Sequence, residues 1–243
     1  GTDVPGPDDT VVSFPRGAAA GLFFHALLEE VNFAGMEGLD LRRRTGRMLE
    51  AHGFSNAWQP AVAAMIERLA AIPLANPMHT FALSSVPESD RVNEMEFYFP
   101  LKRITPAALA DCFRDHLDRA ACSAFAEQLD QLAFPVTEGF MKGYIDLVLE
   151  AGGRFFLIDW KSNYLGPRPG DYGPDSLREE MRRSYYYLQY HLYALALHLF
   201  LRLKKPEYRY EDHMGGVFYI FLRGVAAGCD PTCGVFYDRP DPA

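Results

Sequence analysis

Gly143-Tyr-Ile-Asp-Leu-Val-Leu-Glu-Ala-Gly-Gly-Arg-Phe-Phe-Leu-Ile-Asp-Trp-Lys161 is the stretch whose reading decides the fold. Two β-rich runs, residues 140–150 and 154–161, flank Ala151-Gly152-Gly153, and a Gly-Gly pair between such runs signals a two-residue hairpin loop. With Gly152 and Gly153 in the loop, Ala151 faces Arg154. Counting back, Asp146 then lies across from Asp159, and Tyr144 across from Lys161. Directly opposed Cβ atoms sit ~4.5–5.5 Å apart, and period-two alternation puts Lys161 on the face of Asp159. Two carboxylates and an ammonium converge at the end of a strand that is otherwise apolar through Phe155, Phe156, Leu157 and Ile158.

An isolated Asp/Lys pair on a strand is usually a surface ion pair. Two features weigh against that here. Like charges opposed across a hairpin are destabilising and want a counter-ion, and Asp is a poor strand former with nothing to gain from an apolar strand. A hard divalent cation such as Mg²⁺, which takes oxygen ligands and keeps waters, resolves both.

Outward from the hairpin, the pattern predicts helices over residues 15–31, with an apolar stripe through Leu22, Phe23, Ala26, Leu27 and Val31, then over 39–51, 57–72, 106–132 and 176–203. Extended runs are predicted over 81–101 and 216–222. Residues 1–13 read as a flexible lead-in, and 226–243 as a loosely held tail with at most one short strand. The expected architecture is α/β: a small mixed sheet built round the hairpin and flanked by helices. Residues 14–239 are expected to form one domain, with a mainly helical half over 14–135, a strand-bearing core over 136–239, and 240–243 as the terminal tail.

The chain has 243 residues, 49% hydrophobic and 23% charged, with a net charge of −8. These fractions exclude a disordered or fibrous chain, and no apolar run approaches the ~18 residues of a membrane span. The polar, acidic N-terminus lacks the pattern of a secretion signal. Cys112, Cys122, Cys229 and Cys233 are too few for a disulfide scaffold and match no common zinc spacing. A reducing compartment follows. Cys229 and Cys233 are near enough in sequence to pair, but nothing gives them a function. The acidic balance argues against a stand-alone, high-affinity nucleic-acid binder, since phosphate neutralisation needs clustered Lys and Arg; it does not exclude an enzyme that acts on DNA.

The two strands, Gly143-Tyr-Ile-Asp-Leu-Val148 and Leu157-Ile-Asp-Trp-Lys-Ser-Asn-Tyr-Leu-Gly166, resemble the D…DxK core of the PD-(D/E)xK, restriction-endonuclease-like nuclease superfamily. More narrowly, they resemble the nuclease domains of the RecB type. The likeness continues through Leu188-Gln-Tyr-His-Leu-Tyr-Ala-Leu-Ala-Leu-His198, Gly215-Gly-Val-Phe-Tyr-Ile-Phe-Leu-Arg-Gly-Val225, Phe14-Pro-Arg-Gly17, Gly21-Leu-Phe-Phe-His25 and Glu94-Met-Glu-Phe97, and covers about residues 14–239. A lone DxK is weak, but the ordered set is specific.

The resemblance implies that His25, Asp146, Asp159 and the backbone carbonyl of Trp160 hold a metal. Many relatives carry Tyr at that last position, a change that a carbonyl ligand tolerates. It implies that Lys161 is catalytic beside Asp159 and Asp146. It favours Glu94, on the same strand face as Glu96, as an additional acidic ligand or a group just behind the ligands, by the Glu-x-x-Phe spacing of related nucleases. Gln189 and Tyr193, four apart on one helical face, are implied to lie near the substrate strand. The basic clusters Arg42-Arg43-Arg44-Arg47 and Arg202-Lys204-Lys205 read as solvated helix faces.

The activity implied is a Mg²⁺-dependent deoxyribonuclease acting on single strands from DNA ends, with Mn²⁺ substituting and Ca²⁺ binding without supporting cleavage. Its setting would be the bacterial cytoplasm, with a helicase domain of the same parent chain and RecC-like and RecD-like subunits as partners, and no membrane. No Gly-x-x-x-x-Gly-Lys-Ser/Thr loop occurs, so the motor of such a machine is expected outside this sequence. Two rivals remain: a nuclease-dead DNA-binding or docking module on the same fold, and a stand-alone restriction-type endonuclease.

Overall fold

The computed structural model of the protein describes residues 5–6, 10–35, 38–116, 120–134, 137–225 and 232–241. Cys229 lies outside them, so the pairing of Cys229 with Cys233 does too, as do most of the lead-in and residues 242–243.

The chain begins with three helices, α1 (Ala18–Glu29), α2 (Gly38–Ala51) and α3 (Gln59–Ala71), followed by a two-residue ribbon, β1 (Leu74–Ala75) and β2 (Thr80–Phe81). Strand β3 (Arg91–Ile104), helices α4 (Pro106–His116) and α5 (Ala120–Asp130), and strands β4 (Thr137–Ala151) and β5 (Arg154–Lys161) come next. Helices α6 (Pro174–Arg183), α7 (Tyr186–Lys204) and α8 (Tyr210–His213) lead to β6 (Met214–Phe221) and β7 (Val235–Asp238). The main sheet runs in the order β3-β4-β5-β6-β7. Only β5 and β6 are parallel, joined by the α6–α8 crossover that parallel pairing requires.

Both faces of the sheet are buried where β4, β5 and β6 meet the helices. On one, α1–α3 pack Phe23, Phe24, Leu27, Ile66 and Leu69 against Leu147, Leu149, Phe156, Ile158 and Phe218. On the other, α6 and α7 pack Leu177, Met181, Tyr190 and Leu197 against Val148, Leu157, Val217 and Tyr219. Covering both faces explains why β5 and β6 read as apolar runs without alternation.

The structure corrects several sequence expectations. The 81–101 run is β2, two short 3₁₀ turns and β3, and β3 pairs with β4 along most of its length. The expected helical half therefore supplies a strand to the core sheet. The 106–132 helix is a helical hairpin: Phe113 and Phe125 rings meet at 5.2 Å, although twelve residues of continuous helix would separate them by ~18 Å. The 176–203 helix breaks at Tyr185, whose φ of 56° is left-handed, while Ser184 Oγ turns back to donate to Glu180 at 2.7 Å. Leu22, expected in the buried stripe of α1, is 67% exposed; the buried face runs through Phe23, Phe24, Leu27 and Leu28.

The described segments nearest the two termini are tied to the core. Val11 and Phe14 join the hydrophobic core, and β7 pairs antiparallel with β6, from Val217↔Asp238 to Ile220↔Val235. Arg223 is fully buried. Its guanidinium donates to the carbonyls of Val11, Val12, Phe14 and Pro15 and of Ser162, at 2.6–3.1 Å. One side chain thus fastens the segment before α1 to the loop that leaves β5.

Candidate metal and catalytic centre

The hairpin forms in the expected register, from Ala151↔Arg154 to Leu147↔Ile158. The expected partners Asp146↔Asp159 and Tyr144↔Lys161 do not pair. At Asp146 the strands part, and its carboxylate takes the place of the ladder: Trp160 N–H donates to Asp146 Oδ2 at 2.8 Å. In an extended strand a residue's N–H and C=O point to the same side, so the Trp160 carbonyl faces the gap that Asp146 has opened. The neighbouring Lys161 carbonyl points the other way, accepting from Leu222 N–H at 2.9 Å.

The splay continues into β3. Ile145 and Val148 both pack against the α7 side while Leu147 packs against the α1 side, so strict alternation fails at Asp146. Opposite it, Glu94 holds a left-handed φ of 47°, a strained state for a side chain with a Cβ. The twist separates two acids expected on one face. Glu96 is exposed and ion-paired to Lys142 at 2.8 Å, whereas Glu94 turns toward Asp146. Helix α1 supplies the third group: His25 Nδ1 lies 3.2 Å from Asp146 Oδ1. One ligand atom from each of His25, Glu94 and Asp146 falls within 4.8 Å of the others.

Asp159 and Lys161 lie beside this cluster, on the α7 face. They are nearly buried, at 4% and 8% exposure, and form an ion pair. Asp159 Oδ1 is the oxygen that meets Lys161 Nζ. Burial pushes the Asp159 carboxyl up to about 6, against the pull of Lys161 and with help from the charge of Asp146. Burial also raises the Glu94 carboxyl, with the charges of Asp146 and Glu29. His25 is pulled down by burial, but its hydrogen bond to Asp146 and the surrounding carboxylates outweigh that and raise it. Crowded carboxylates, one of them buried, and one imidazole fit a hard divalent cation with mainly oxygen ligands.

Lys161 is held from the helix side. Its ammonium donates to Gln189 Oε1 at 3.0 Å and lies over the rings of Tyr186, at 4.1 Å, and Tyr219, at 4.9 Å. Gln189 Oε1 also accepts from Tyr219 OH at 3.0 Å, and its amide nitrogen donates to Tyr193 OH at 2.9 Å. Burial raises both phenols, so both stay protonated. Tyr193 meets Phe97 edge-on at 5.5 Å, and Phe97 occupies the space a Cβ on Gly143 would fill. Tyr186 OH donates to Asn163 Oδ1 at 3.1 Å, and Asn163 donates to the buried Glu180 at 2.7 Å.

Gln189 and Tyr193, expected beside the substrate, are thus also the props of Lys161. Sequence reading gave Tyr219 and Arg223 no role, although both fall in a stretch that carries the resemblance, and left Tyr186 between helix packing and base stacking. Tyr219 reaches the centre because β6 sets it beside Asp159, a parallel register with no local signature. Of the basic clusters, Arg44 pairs with Glu30 at 2.7 Å and Lys205 lies 3.9 Å from Glu150.

A family model described as the PD-(D/E)XK nuclease superfamily matches residues 10–234. Among curated proteins, the chain is similar to the RecBCD enzyme subunit RecB of Escherichia coli (strain K12), at 35% identity over 97% of this chain and 19% of that protein. It is similar to the same subunit of Haemophilus influenzae, at 33% over 96% of this chain and 18% of the relative. For Mycolicibacterium smegmatis the figures are 32%, 99% and 24%. The chain therefore spans about a fifth of the length of these relatives. Because the family match runs through both strands of the splayed hairpin and the helices on either side of it, the chain belongs to the PD-(D/E)XK nuclease superfamily.

Proposed function

We propose that this chain is a Mg²⁺-dependent deoxyribonuclease domain that hydrolyses phosphodiester bonds in single strands delivered from DNA ends. Mn²⁺ substitutes for Mg²⁺, and Ca²⁺ binds without supporting cleavage. Its setting is a RecBCD-like machine in the bacterial cytoplasm, with a helicase domain in the parent chain and RecC-like and RecD-like partners, in line with the names of its relatives. The observation that carries the reading is the meeting of His25, Glu94 and Asp146 beside a buried Asp159–Lys161 pair.

In this reading His25, Asp146, Asp159 and the Trp160 carbonyl hold the ion, with Glu94 completing the acidic wall. The bound ion supplies Lewis acidity toward a phosphate oxygen and lowers the pKa of a water. Lys161 orients the attacking water and meets the charge that grows on the phosphate oxygens as the P–O bond to the leaving strand breaks. Gln189, Tyr186 and Tyr219 keep the ammonium in place, so little reorganisation remains at the moment of reaction. Asp159 pairs with the ammonium.

The test is cleavage of end-labelled single-stranded DNA, duplex and closed circular duplex, without ATP, in Mg²⁺ and in EDTA. The expected result is slow, Mg²⁺-dependent cutting of the single strand that falls steeply with salt, since an acidic chain holds DNA weakly. Cutting in excess EDTA refutes the metal mechanism. Site-specific cutting of the closed circle would favour a restriction-type enzyme, and no cutting with Mg²⁺ bound would favour a docking module.

A further inference from the structure

The β3–β4 ribbon runs on past the metal cluster, and its two faces differ. On the inner face Met95, Phe97, Phe99 and Met141 pack against α7. The outer face, on the side from which α1 presents His25, carries a row of aromatic rings left uncovered by the described residues. Tyr98 and Phe140 are each 63% exposed and Tyr144 is 44% exposed. The rings of Tyr98 and Phe140 stack at 4.7 Å with only 9° between their planes, and Lys142 lies between Phe140 and Tyr144 on the same face, 5.3 Å above the Tyr144 ring. Two residues beyond Tyr144 stands Asp146, and two before Glu96 stands Glu94. At ~3.4 Å per residue, the row from Phe140 to Asp146 is about 20 Å long and ends at the acidic cluster.

The geometry points to this row as a stacking track for an unpaired nucleic-acid strand, which threads from Phe140 and Tyr98 past Lys142 and Tyr144 to the His25–Glu94–Asp146 cluster. The inference rests on the nuclease reading and adds the surface that selects the strand. Exposed flat rings cost surface free energy unless something covers them. An unpaired base offers a π-face of matching shape whatever its identity. The bases of a duplex already stack on each other and have none to give. Lys142, now paired to Glu96, is a cation on the track for the strand's phosphates. Continuity with the cluster favours nucleic acid over a protein partner as the occupant, because a strand lying along the track brings its phosphodiesters to the carboxylates.

The experiment compares the wild-type chain with Tyr98→Ala/Phe140→Ala. The readouts are anisotropy of a labelled single-stranded deoxyoligonucleotide in Ca²⁺, the same for a duplex, and Mg²⁺-dependent hydrolysis of bis(p-nitrophenyl) phosphate, an ester too short to reach the ribbon. The expected result is a loss of single-strand affinity of roughly tenfold or more, with duplex affinity and ester turnover unchanged. Tyr98→Phe/Phe140→Tyr, which keeps two flat rings, should restore it. Unchanged single-strand affinity overturns the track in favour of a protein-facing patch. Equal losses on single strand, duplex and ester overturn it in favour of a structural role. A wild-type chain that hydrolyses neither DNA nor ester refutes the nuclease reading, and the binding comparison still decides the track.

Discussion

Asp159→Asn should make the metal-free protein more stable and the metal-loaded protein less stable than wild type. The cause lies in the burial of Asp159. Its carboxyl is raised from 3.8 to about 6, first by desolvation and further by the charge of Asp146, with Lys161 offsetting only part. Each unit is worth 1.36 kcal/mol, so the ionised side chain costs the folded state up to ~3 kcal/mol. The sign follows from linkage. Below pH ~4 both folded and unfolded states hold the proton and the cost is absent. Between pH ~4 and ~6 the unfolded chain ionises first, and stability falls as pH rises. Asparagine has no such step. In EDTA the variant should match wild type below pH 4 and exceed it by ~1–3 kcal/mol at pH 8, a rise of about 2–4 °C in Tm per kcal/mol for a chain of this size. Ligand at a hundredfold over its Kd adds about 2.7 kcal/mol to wild type, most of which the variant forgoes, so Mg²⁺ should invert the order. Thermal melts at both pH values, in EDTA and in a Mg²⁺ series, read the outcome. A variant less stable than wild type by the same margin at pH 4 and pH 8 in EDTA would refute the reasoning, as would a wild type whose Tm does not move with Mg²⁺.

Lys161→Ala should lower turnover by about 10²–10⁴-fold while calorimetric Mg²⁺ titration stays near wild type; His25→Ala should weaken metal binding and regain part of its activity at high Mn²⁺. The reverse pattern would exchange their roles. Gln189→Leu removes the acceptor shared by Lys161 and Tyr219 and should reduce single-turnover cleavage about 10–100-fold, as for other props of a metal site, with unchanged metal affinity. Arg223→Met removes the shared donor of five backbone carbonyls, of which Val11 still accepts from Phe14 N–H; each buried carbonyl left unsatisfied costs ~1–3 kcal/mol. The substitution should cost at least ~3 kcal/mol in urea unfolding, with Arg223→Lys recovering part through its three donors.

The amino-acid sequence by itself determined the hairpin, its register and the residue types at its end. A Gly-Gly loop and period-two strands are local signals, and the register they imply holds from Ala151↔Arg154 to Leu147↔Ile158. Asp159 and Lys161 share a face for the same reason. Beyond Leu147 local rules lose their force. Whether Asp146 continues the ladder or turns its carboxylate to Trp160 N–H is decided by what surrounds it: α1 brings His25 from 121 residues away, and β3 brings a strained Glu94. The strict alternation that put Glu94 with Glu96 fails because both strands twist there. Gln189 and Tyr193 share a helix face by spacing alone, but their duty to Lys161 exists only because α6 and α7 lay that face on β5 and β6. The roles of the parallel neighbour Tyr219 and of the buried Arg223 were illegible for the same reason. Long-range pairing is chosen by burial of the whole sheet and by satisfaction of buried polar groups, and neither leaves a mark in a short window of sequence.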